Sequence, residues 1–471
     1  MSKTPDQNRR SFLKTSAETA AGLAALKGLS FFTHPNKVFG ANDRVRVGIC
    51  GLHGRGNVHI KGYARLSNVE IAALCDVDEN VLAQRLAELK KEGIQPRTYV
   101  DVRKLLEDKS VDAISVATPN HWHTLMAIWG CQAGKDVYVE KPCTHNLWEG
   151  RQLIRAAEKY DRIVQHGTQN RSNPVVMEAI QAIQKGALGD LYLSRGLCYK
   201  WRDTIGRTPV SPVPVGVNYD LWTGPAPLQP FTRNHFHYNW HWFWAYGNGD
   251  VGNQGVHQMD IARWGLGLKF PNKISAVGGH VMFDDDQQTP NILNCAFEFD
   301  LPDGKRRLLE FEVRHWITNH EAEVGESSER VAPHNEKDPR LGPSAGDHNT
   351  IGNIFYGSEG YLAIDGDNVY KSWIGPDQQP GPRNSAAGRE DHFANFVACV
   401  INRKKENLRA PIEEGHISCA LIHLANASYR LGRTLNFDPQ TQQVIGDEEA
   451  NHLLRDGDRG YRVPFAVPDK V

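Results

Sequence analysis

The chain has 471 residues, of which 40% are hydrophobic and 23% are charged. At roughly 150 residues per domain, this length predicts two or three domains, and the composition is that of a globular protein with a large core. The formal net charge of -1 argues against nucleic acid and anionic membrane surfaces as partners, and it suits a small polar ligand.

The first 41 residues have the pattern of an export signal followed by a linker. Residues 9–14 read RRSFLK, and a weakly hydrophobic stretch covers 15–32. This pattern predicts twin-arginine export to the periplasm or another compartment outside the cytoplasm; the alternative is a disordered basic tail on a cytoplasmic protein. Because Glu18 and Lys27 interrupt the stretch, we expect no stable membrane span there, and no other segment is long and apolar enough to form one.

Residues 42–167 alternate short apolar runs with helical patterns. Such alternation predicts an α/β fold with a doubly wound parallel sheet, a Rossmann domain. Strands are predicted over 44–50, 69–75, 98–100, 113–116, 136–139 and 163–165. Helices are predicted over 57–66, 79–91, 102–106, 121–133 and 147–160.

In residues 168–434 the regular alternation of strands and helices gives way to successive strand-like runs, which predict a second, α+β domain with a large open, mostly antiparallel sheet. After a helix over 174–185, strands are predicted over 191–199, 274–282, 291–299, 307–315, 354–362 and 369–373. Helices over 389–404 and 415–434 are expected to pack back against the first domain. The tail, 435–471, is expected to be irregular and to wrap a neighbouring subunit, and the open sheet predicts a homodimer or homotetramer.

A glycine-rich loop follows the first strand and opens the first helix. It contains Gly51, Gly54 and Gly56, with His53 where the G-x-G-x-x-G fingerprint has its middle glycine. Gly51 would permit the tight turn and Gly56 the close packing of helix on strand, so that backbone N–H groups face a pyrophosphate. Asp76 ends the second strand, where a carboxylate accepts from ribose hydroxyls and favours NAD over NADP; its alternative role is a helix N-cap.

Two further motifs follow the fourth and fifth strands, at the sheet edge where ligands of parallel sheets bind. They are Thr118-Pro119-Asn120 with His123, and Glu140-Lys141-Pro142. A lysine beside a proline at such an edge can point into the cleft, although by itself it could equally be a solvated loop residue.

These motifs and the glycine loop together resemble the Gfo/Idh/MocA family, the glucose–fructose oxidoreductase and inositol dehydrogenase group. The resemblance covers most of residues 42–434. It implies a second domain whose open sheet lines the substrate site, hydride transfer between a sugar or cyclitol carbon and nicotinamide, and an active-site lysine at Lys141. The dinucleotide contacts expected from the motifs are Gly51, Gly54, Arg55, Gly56, Asp76, Thr118, Pro119, Asn120, His123, Glu140 and Lys141.

A histidine motif lies in the second domain. The family often has D-x-x-x-H on a helix lining the cleft, and here Asn253 replaces the aspartate while His257 matches the histidine. The spacing predicts both on one helical face. Because an amide cannot exchange a proton, Lys141 and His257 are expected to manage the hydroxyl proton with Asn253 beside them. Asp260 is expected to orient His257 or bind a substrate hydroxyl, and the alternative for His257 is a structural histidine.

An aromatic block, HFHYNWHWFW, covers residues 235–244. Sugar rings stack on indoles, so Trp201, Trp240 and His241 are predicted substrate contacts, with a place in the core or an oligomer interface as the equal alternative. The histidine spacing in this block fits no common metal site. The eight cysteines show no zinc-ligand spacing either; we expect buried free thiols and no metal.

Together these features predict an exported, NAD-dependent oxidoreductase acting on the CH–OH group of a sugar, glycoside or cyclitol ring, with NAD held tightly. One alternative is a redox-neutral glycosidase that oxidises the sugar transiently, eliminates the glycosidic bond and reduces the ketone again. The other is a non-catalytic sugar-binding or sensing protein.

Overall fold

The structure is a computed structural model that describes residues 44–316, 318–325, 349–366, 369–384, 391–456 and 460–471. The expected export signal and most of the polar loop 320–350 lie outside the described residues. Within the described ranges, no helix combines the length and hydrophobicity needed to cross a membrane.

The first sheet has six parallel strands in the order β3-β2-β1-β4-β5-β6, which confirms the predicted Rossmann domain. Its strands are β1 (Val45–Cys50), β2 (Val69–Cys75), β3 (Arg97–Tyr99), β4 (Ala113–Val116), β5 (Asp136–Val139) and β6 (Val164–His166). Its helices are α1 (Gly54–Ala64), α2 (Glu79–Lys91), α3 (Val102–Leu106), α4 (Asn120–Gln132) and α5 (Leu147–Lys159). Strands β4 and β5 are buried throughout, as expected for a parallel sheet covered on both faces.

Short polar side chains begin several of these helices. The Asp78 side chain accepts from the Asn80 backbone N–H at the start of α2, and the Asn146 side chain accepts from the Glu149 backbone N–H at the start of α5. Each bond satisfies an N–H group that has no partner inside the helix. These caps explain why the predicted helix boundaries lie close to the observed ones.

The second sheet has ten strands in the order β14-β13-β12-β11-β7-β10-β9-β8-β15-β16. Only the central pair β7–β10 is parallel, which confirms the open, mostly antiparallel sheet. The strands are β7 (Leu191–Lys200), β8 (Lys273–Gly279), β9 (Ile292–Asp300), β10 (Arg306–His315), β11 (Thr350–Gly357), β12 (Gly360–Asp365), β13 (Val369–Ile374), β14 (Gln379–Pro380), β15 (Leu435–Asp438) and β16 (Gln443–Val444). The remaining helices are α6 (Pro174–Gln184), α7 (Tyr219–Thr223), α8 (Gly249–Asn253), α9 (Gly255–Leu266), α10 (His392–Asn402), α11 (Ile412–Leu431) and α12 (Glu448–Leu453).

Two predictions for this domain are wrong. The stretch 354–362 is not one strand, because the chain reverses at Ser358-Glu359 between paired Gly357 and Gly360. The tail from 435 is not irregular: β15 pairs with β8, and α12 follows. Its later residues pack on their own first domain, where the ring of Phe465 lies 5.5 Å from that of Trp122.

The last two long helices join the domains. Phe396 and Val397 of α10 share a core cluster with β1 of the first sheet. Helix α11 is buried along almost its whole length between α5 and β8. The carboxyl edge of the first sheet faces the second domain, since Lys141 after β5 contacts Asn253 at the end of α8.

Candidate active site

The glycine loop is tightly constrained by its neighbours. Gly51 has a φ of +81°, and a Cβ there would lie 2.7 Å from the Ala117 backbone. At Gly56 a Cβ would lie 1.8 Å from the Gly51 carbonyl oxygen. By contrast, nothing lies within 4 Å of a Cβ built on Gly54. Helix α1 begins at Gly54 with no side-chain cap, so its first N–H groups are open to an anion.

Asp76 lies at the end of β2, beside this loop. Its carboxylate accepts from the backbone N–H groups of Leu52 at 2.7 Å and Asp78 at 3.0 Å. Burial raises its pKa to about 6, although these backbone bonds oppose the shift. Asp78, not Asp76, caps α2. The alternative reading of Asp76 as a helix cap is therefore wrong.

The segment after β4 is held in place from both sides. The Thr118 hydroxyl is buried and has no hydrogen-bond partner among the described residues. Pro119 precedes α4, and the Asn120 amide donates to Asn248 of the second domain at 3.4 Å. His123 is buried with its two nitrogens 2.7 Å from the carbonyl oxygens of Thr118 and Pro142. His123 thus positions two loops, and its predicted contact with the dinucleotide stays a prediction.

Glu140 links the glycine loop to the lysine motif. Its buried carboxylate accepts from Arg55 Nε at 2.6 Å and lies 3.1 Å from His59 Nε2. Although burial opposes the charge, Arg55 and His59 hold the pKa of Glu140 well below its usual value. Glu140 and Arg55 therefore fix the position of the neighbouring Lys141.

Lys141 reaches across to the second domain. Its ammonium donates to the Asn253 carbonyl oxygen at 2.5 Å and to Asn253 Oδ1 at 3.1 Å. Burial lowers the pKa of Lys141 to about 8; the Glu140 carboxylate opposes this shift, and the Arg55 and Lys200 cations reinforce it. An amine of this pKa can take up or release a proton near neutral pH.

A buried carboxylate that the sequence analysis missed lies behind Asn253. Asp250 is fully buried and accepts from Arg202 at 2.6 and 2.9 Å and from Asn253 Nδ2 at 3.0 Å. His315 Nε2 lies 2.7 Å from the same carboxylate. Despite burial, Arg202, together with Lys200 and His315, keeps the pKa of Asp250 well below its usual value. Asp250 therefore orients the amide that receives Lys141.

Asn253 and His257 do not share one continuous helix, contrary to the prediction. Helix α8 ends at Asn253, and α9 begins at Gly255. Burial and the nearby Lys141 cation lower the pKa of His257 well below its usual value, so its imidazole is neutral. Its buried Nδ1 has no hydrogen-bond partner among the described residues. A substrate hydroxyl could satisfy this nitrogen.

The prediction for Asp260 is wrong. Its carboxylate accepts two bonds from Arg171, at 2.7 and 2.9 Å, and a third from the Ser418 hydroxyl at 2.5 Å. Asp260 is 1% exposed, so it is unavailable to a substrate. It stabilises the packing of α9 against α11 instead.

The aromatic block divides between core and cleft. Trp240 is 8% exposed and belongs to a buried aromatic cluster, which favours the core alternative, and its predicted contact with substrate stays a prediction. His241 stacks on Trp240, and burial with the nearby Lys141 and Arg202 cations lowers its pKa to about 3. Trp201 follows Lys200 at the end of β7 and stacks on Trp316 at 4.7 Å.

Tyr238 is a second functional candidate that the sequence analysis missed. Its hydroxyl accepts from Arg202 at 3.3 Å. Desolvation of the phenol by its neighbours favours the neutral form although the residue is 38% exposed, but the Arg202 and Lys200 cations outweigh this effect and lower the pKa of Tyr238. The phenol, His241 and Lys141 thus line one electropositive region.

Part of the second domain covers the glycine loop and the residues after β2, where the sequence predicts that the adenosine of the dinucleotide would bind. The His237 ring stacks on His53 of the glycine loop at 4.6 Å, and its Nε2 lies 3.0 Å from an Asp78 carboxylate oxygen. The residues after Asp76 also form backbone hydrogen bonds to a loop of the second domain. The Glu79 N–H donates to the Gly216 carbonyl oxygen, and the Asn218 N–H donates to the Val77 carbonyl oxygen, both at 2.9 Å. We call this set of contacts, at 53, 77–79, 216–218 and 237, the adenosine-side clasp.

Two family profiles match the chain. Residues 45–168 match the NAD-binding Rossmann fold of an oxidoreductase family, and residues 175–311 and 368–464 match that family's C-terminal alpha/beta domain. Both profiles carry the Gfo/Idh/MocA name. The chain belongs to the Gfo/Idh/MocA family.

Individual relatives of this Gfo/Idh/MocA protein agree with that assignment. A "glycosyl hydrolase family 109 protein" of Shewanella pealeana is 30% identical over 39% of this chain and 44% of its own length. The alignment thus spans less than half of that relative. Among solved structures, the WlbA dehydrogenase of Bordetella pertussis, in complex with NADH and UDP-GlcNAcA, shares 17% identity over 84% of this chain and 98% of its own, with a TM-score of 0.59. Levoglucosan dehydrogenase, in complex with NADH and L-sorbose, shares 16% sequence identity over 84% of this chain and 99% of its own, also with a TM-score of 0.59.

The residues of this Gfo/Idh/MocA chain fit the dinucleotide that the first family profile implies. The positions of Gly51 and Gly56 leave no room for a side chain, the start of α1 is uncapped, and the Thr118 hydroxyl has no hydrogen-bond partner among the described residues. A phosphate oxygen can accept from such N–H and O–H groups. Asp76 stands where a ribose would lie.

Proposed function

We propose that this protein is an NAD-dependent oxidoreductase acting on a hydroxyl-bearing ring carbon of a carbohydrate. The observation that carries the proposal is Lys141, whose half-buried side chain has a pKa of about 8 and whose ammonium donates to the Asn253 carbonyl oxygen. The solved relatives include sugar dehydrogenases, which supports a carbohydrate substrate.

The bound dinucleotide would supply a hydride acceptor beside the reacting carbon. The substrate hydroxyl loses its proton to the neutral Lys141 amine while its carbon loses hydride, so that a C=O bond forms and two electrons leave together. The unpartnered Nδ1 of His257 binds a hydroxyl and holds the ring in place. Asn253, oriented by Asp250, keeps Lys141 in reach.

We propose NAD over NADP because Asp76 places a carboxylate where a 2′-phosphate would otherwise lie. Like charges at that distance repel, whereas ribose hydroxyls donate to the carboxylate. We also propose export by the twin-arginine route, on the strength of residues 9–14.

A redox-neutral glycosidase is the second candidate, and the adenosine-side clasp favours it. The stacked His53 and His237 rings and the backbone bonds around Asp78 would have to open before a dinucleotide could exchange. An enzyme that reduces its own oxidised intermediate needs no exchange. Oxidation acidifies the neighbouring C–H, a base removes that proton, the glycosidic oxygen leaves with the bonding pair, water adds, and the carbonyl regains its hydride. The partial match to glycosyl hydrolase family 109 agrees with this route.

One experiment separates these functions. Purified protein is mixed with a panel of free sugars and nitrophenyl glycosides, while the near-ultraviolet band of reduced nicotinamide and the release of nitrophenol are recorded. A dehydrogenase gains the band in proportion to sugar oxidised; a redox-neutral glycosidase releases nitrophenol without added NAD and without net reduction. Lys141→Met should abolish either signal, and Lys305→Met, at an exposed surface lysine, is the control. Sugar binding without either signal in the wild type would overturn the proposal in favour of a sensor.

A further inference from the structure

Two cysteines and a histidine from three distant segments meet in the core. Cys143 follows the Lys141-Pro142 motif, His166 ends β6, and Cys419 lies in α11. All three are fully buried. The two sulfur atoms are 3.7 Å apart, Cys419 Sγ is 3.9 Å from His166 Nε2, and all three donor atoms lie within 4.8 Å of one another.

We propose that these three side chains bind one thiophilic d10 metal ion, Zn²⁺ or Cu⁺. An ion bonded to two sulfurs at about 2.3 Å with tetrahedral angles holds them roughly 3.8 Å apart. The observed sulfur separation, 3.7 Å, matches this edge of the tetrahedron. To complete the site, the His166 ring would move inwards by about 1 Å. Thiolates with imidazole are the donors that select these two metals over Mg²⁺ or Ca²⁺.

The surroundings of the cluster orient the donor atoms. The Thr168 hydroxyl lies 3.3 Å from His166 Nδ1, which leaves Nε2 directed at Cys419. Metal-binding histidines commonly have such a partner on their other nitrogen. The neighbouring Thr144 hydroxyl lies 2.8 Å from His423 Nε2, so this second histidine is held beside the cluster without joining it.

The ion would connect the two domains next to Lys141, since Cys143 follows that residue by two positions. Cys143 and His166 belong to the first domain, and Cys419 to a helix of the second. Binding of Zn²⁺ would release two thiol protons, and the two thiolates would neutralise the charge of the divalent ion. The expectation of no metal rested on local spacing, whereas the two cysteines are 276 residues apart.

Metal content of the full-length protein tests the proposal. Wild type, Cys143→Ser, Cys419→Ser and the control Cys295→Ser, at a buried thiol outside the cluster, are purified anaerobically without chelator. Each is stripped, incubated with Zn²⁺, Cu⁺ or Co²⁺ alone, and desalted. We expect one equivalent in wild type and control, a loss of at least about tenfold in the two cluster variants, and a thiolate-to-cobalt absorption band in wild type.

Several results would overturn the inference. These are a wild type that retains no metal, a Cys419→Ser variant that retains as much as wild type, and a purified protein two hydrogens lighter because Cys143 and Cys419 form a disulfide. Should the cluster variants fail to fold, the wild-type cobalt spectrum decides, since its band requires thiolate ligands. These readouts do not depend on turnover, so they are independent of the proposed function.

Discussion

The pH dependence of turnover is the sharpest consequence of the position of Lys141. With its pKa at about 8, the amine is neutral in about a tenth of molecules at pH 7 and about nine tenths at pH 9. Because the neutral amine is the proton acceptor, kcat/KM for oxidation should rise roughly tenfold between these values. The assay is the initial rate of nicotinamide reduction, or of nitrophenol release, across that range.

Two substitutions test the cause of this profile. Lys141→Arg keeps a cation but cannot deprotonate at these pH values, so the rate should fall about 10²- to 10⁴-fold and lose its rise with pH. Lys200→Gln removes a nearby cation that lowers the pKa of Lys141, so the midpoint should move to higher pH. A flat wild-type profile between pH 7 and 9, or a Lys141→Arg enzyme with more than about a tenth of the rate, would refute this reasoning.

Three other predictions concern the cofactor site and the core. Since the pKa of Asp76 is raised to about 6, its carboxylate loses its charge below that pH. The affinity for NAD, measured by calorimetry, should therefore weaken about tenfold from pH 7.5 to pH 5. The Asp76→Asn variant should not show this pH dependence. Gly56→Ala should abolish NAD binding in the same measurement, because its methyl group meets the Gly51 carbonyl. Asp260→Asn breaks the buried pair with Arg171 and should lower the free energy of unfolding in urea by about 3–5 kcal/mol; an unchanged denaturation midpoint would contradict this role.

Local patterns were enough to predict the first domain. The alternation of strand and helix periods, the glycine loop and the caps are all encoded within a few residues, and the predicted elements lie close to the observed ones. The reversal at Ser358-Glu359 was missed because its flanking residues continue the apolar pattern of a single strand. The fate of the tail was missed because the pairing of β15 with β8 joins segments far apart in the chain.

Distance along the chain also separates the predicted from the unpredicted site residues. Lys141 stands in a recognisable motif, but Asp250 gains its role from Arg202 and His315, which lie 48 and 65 residues away. Asp260 illustrates the reverse error, since helical spacing suggested the cleft, whereas Arg171 draws its carboxylate into the core. A position three residues from a histidine does not reveal which partner its side chain will find.

The C-terminal tail has a mechanical consequence. Strand β15 lengthens the second sheet, and then Tyr461 and Phe465 return to the first domain, where the Tyr461 hydroxyl donates to Glu149 at 2.8 Å. The tail thus contacts both domains, so we expect the two domains to unfold together. A calorimetric scan should show a single heat-absorption peak, and proteolysis within 435–456 should lower the melting temperature of both domains together.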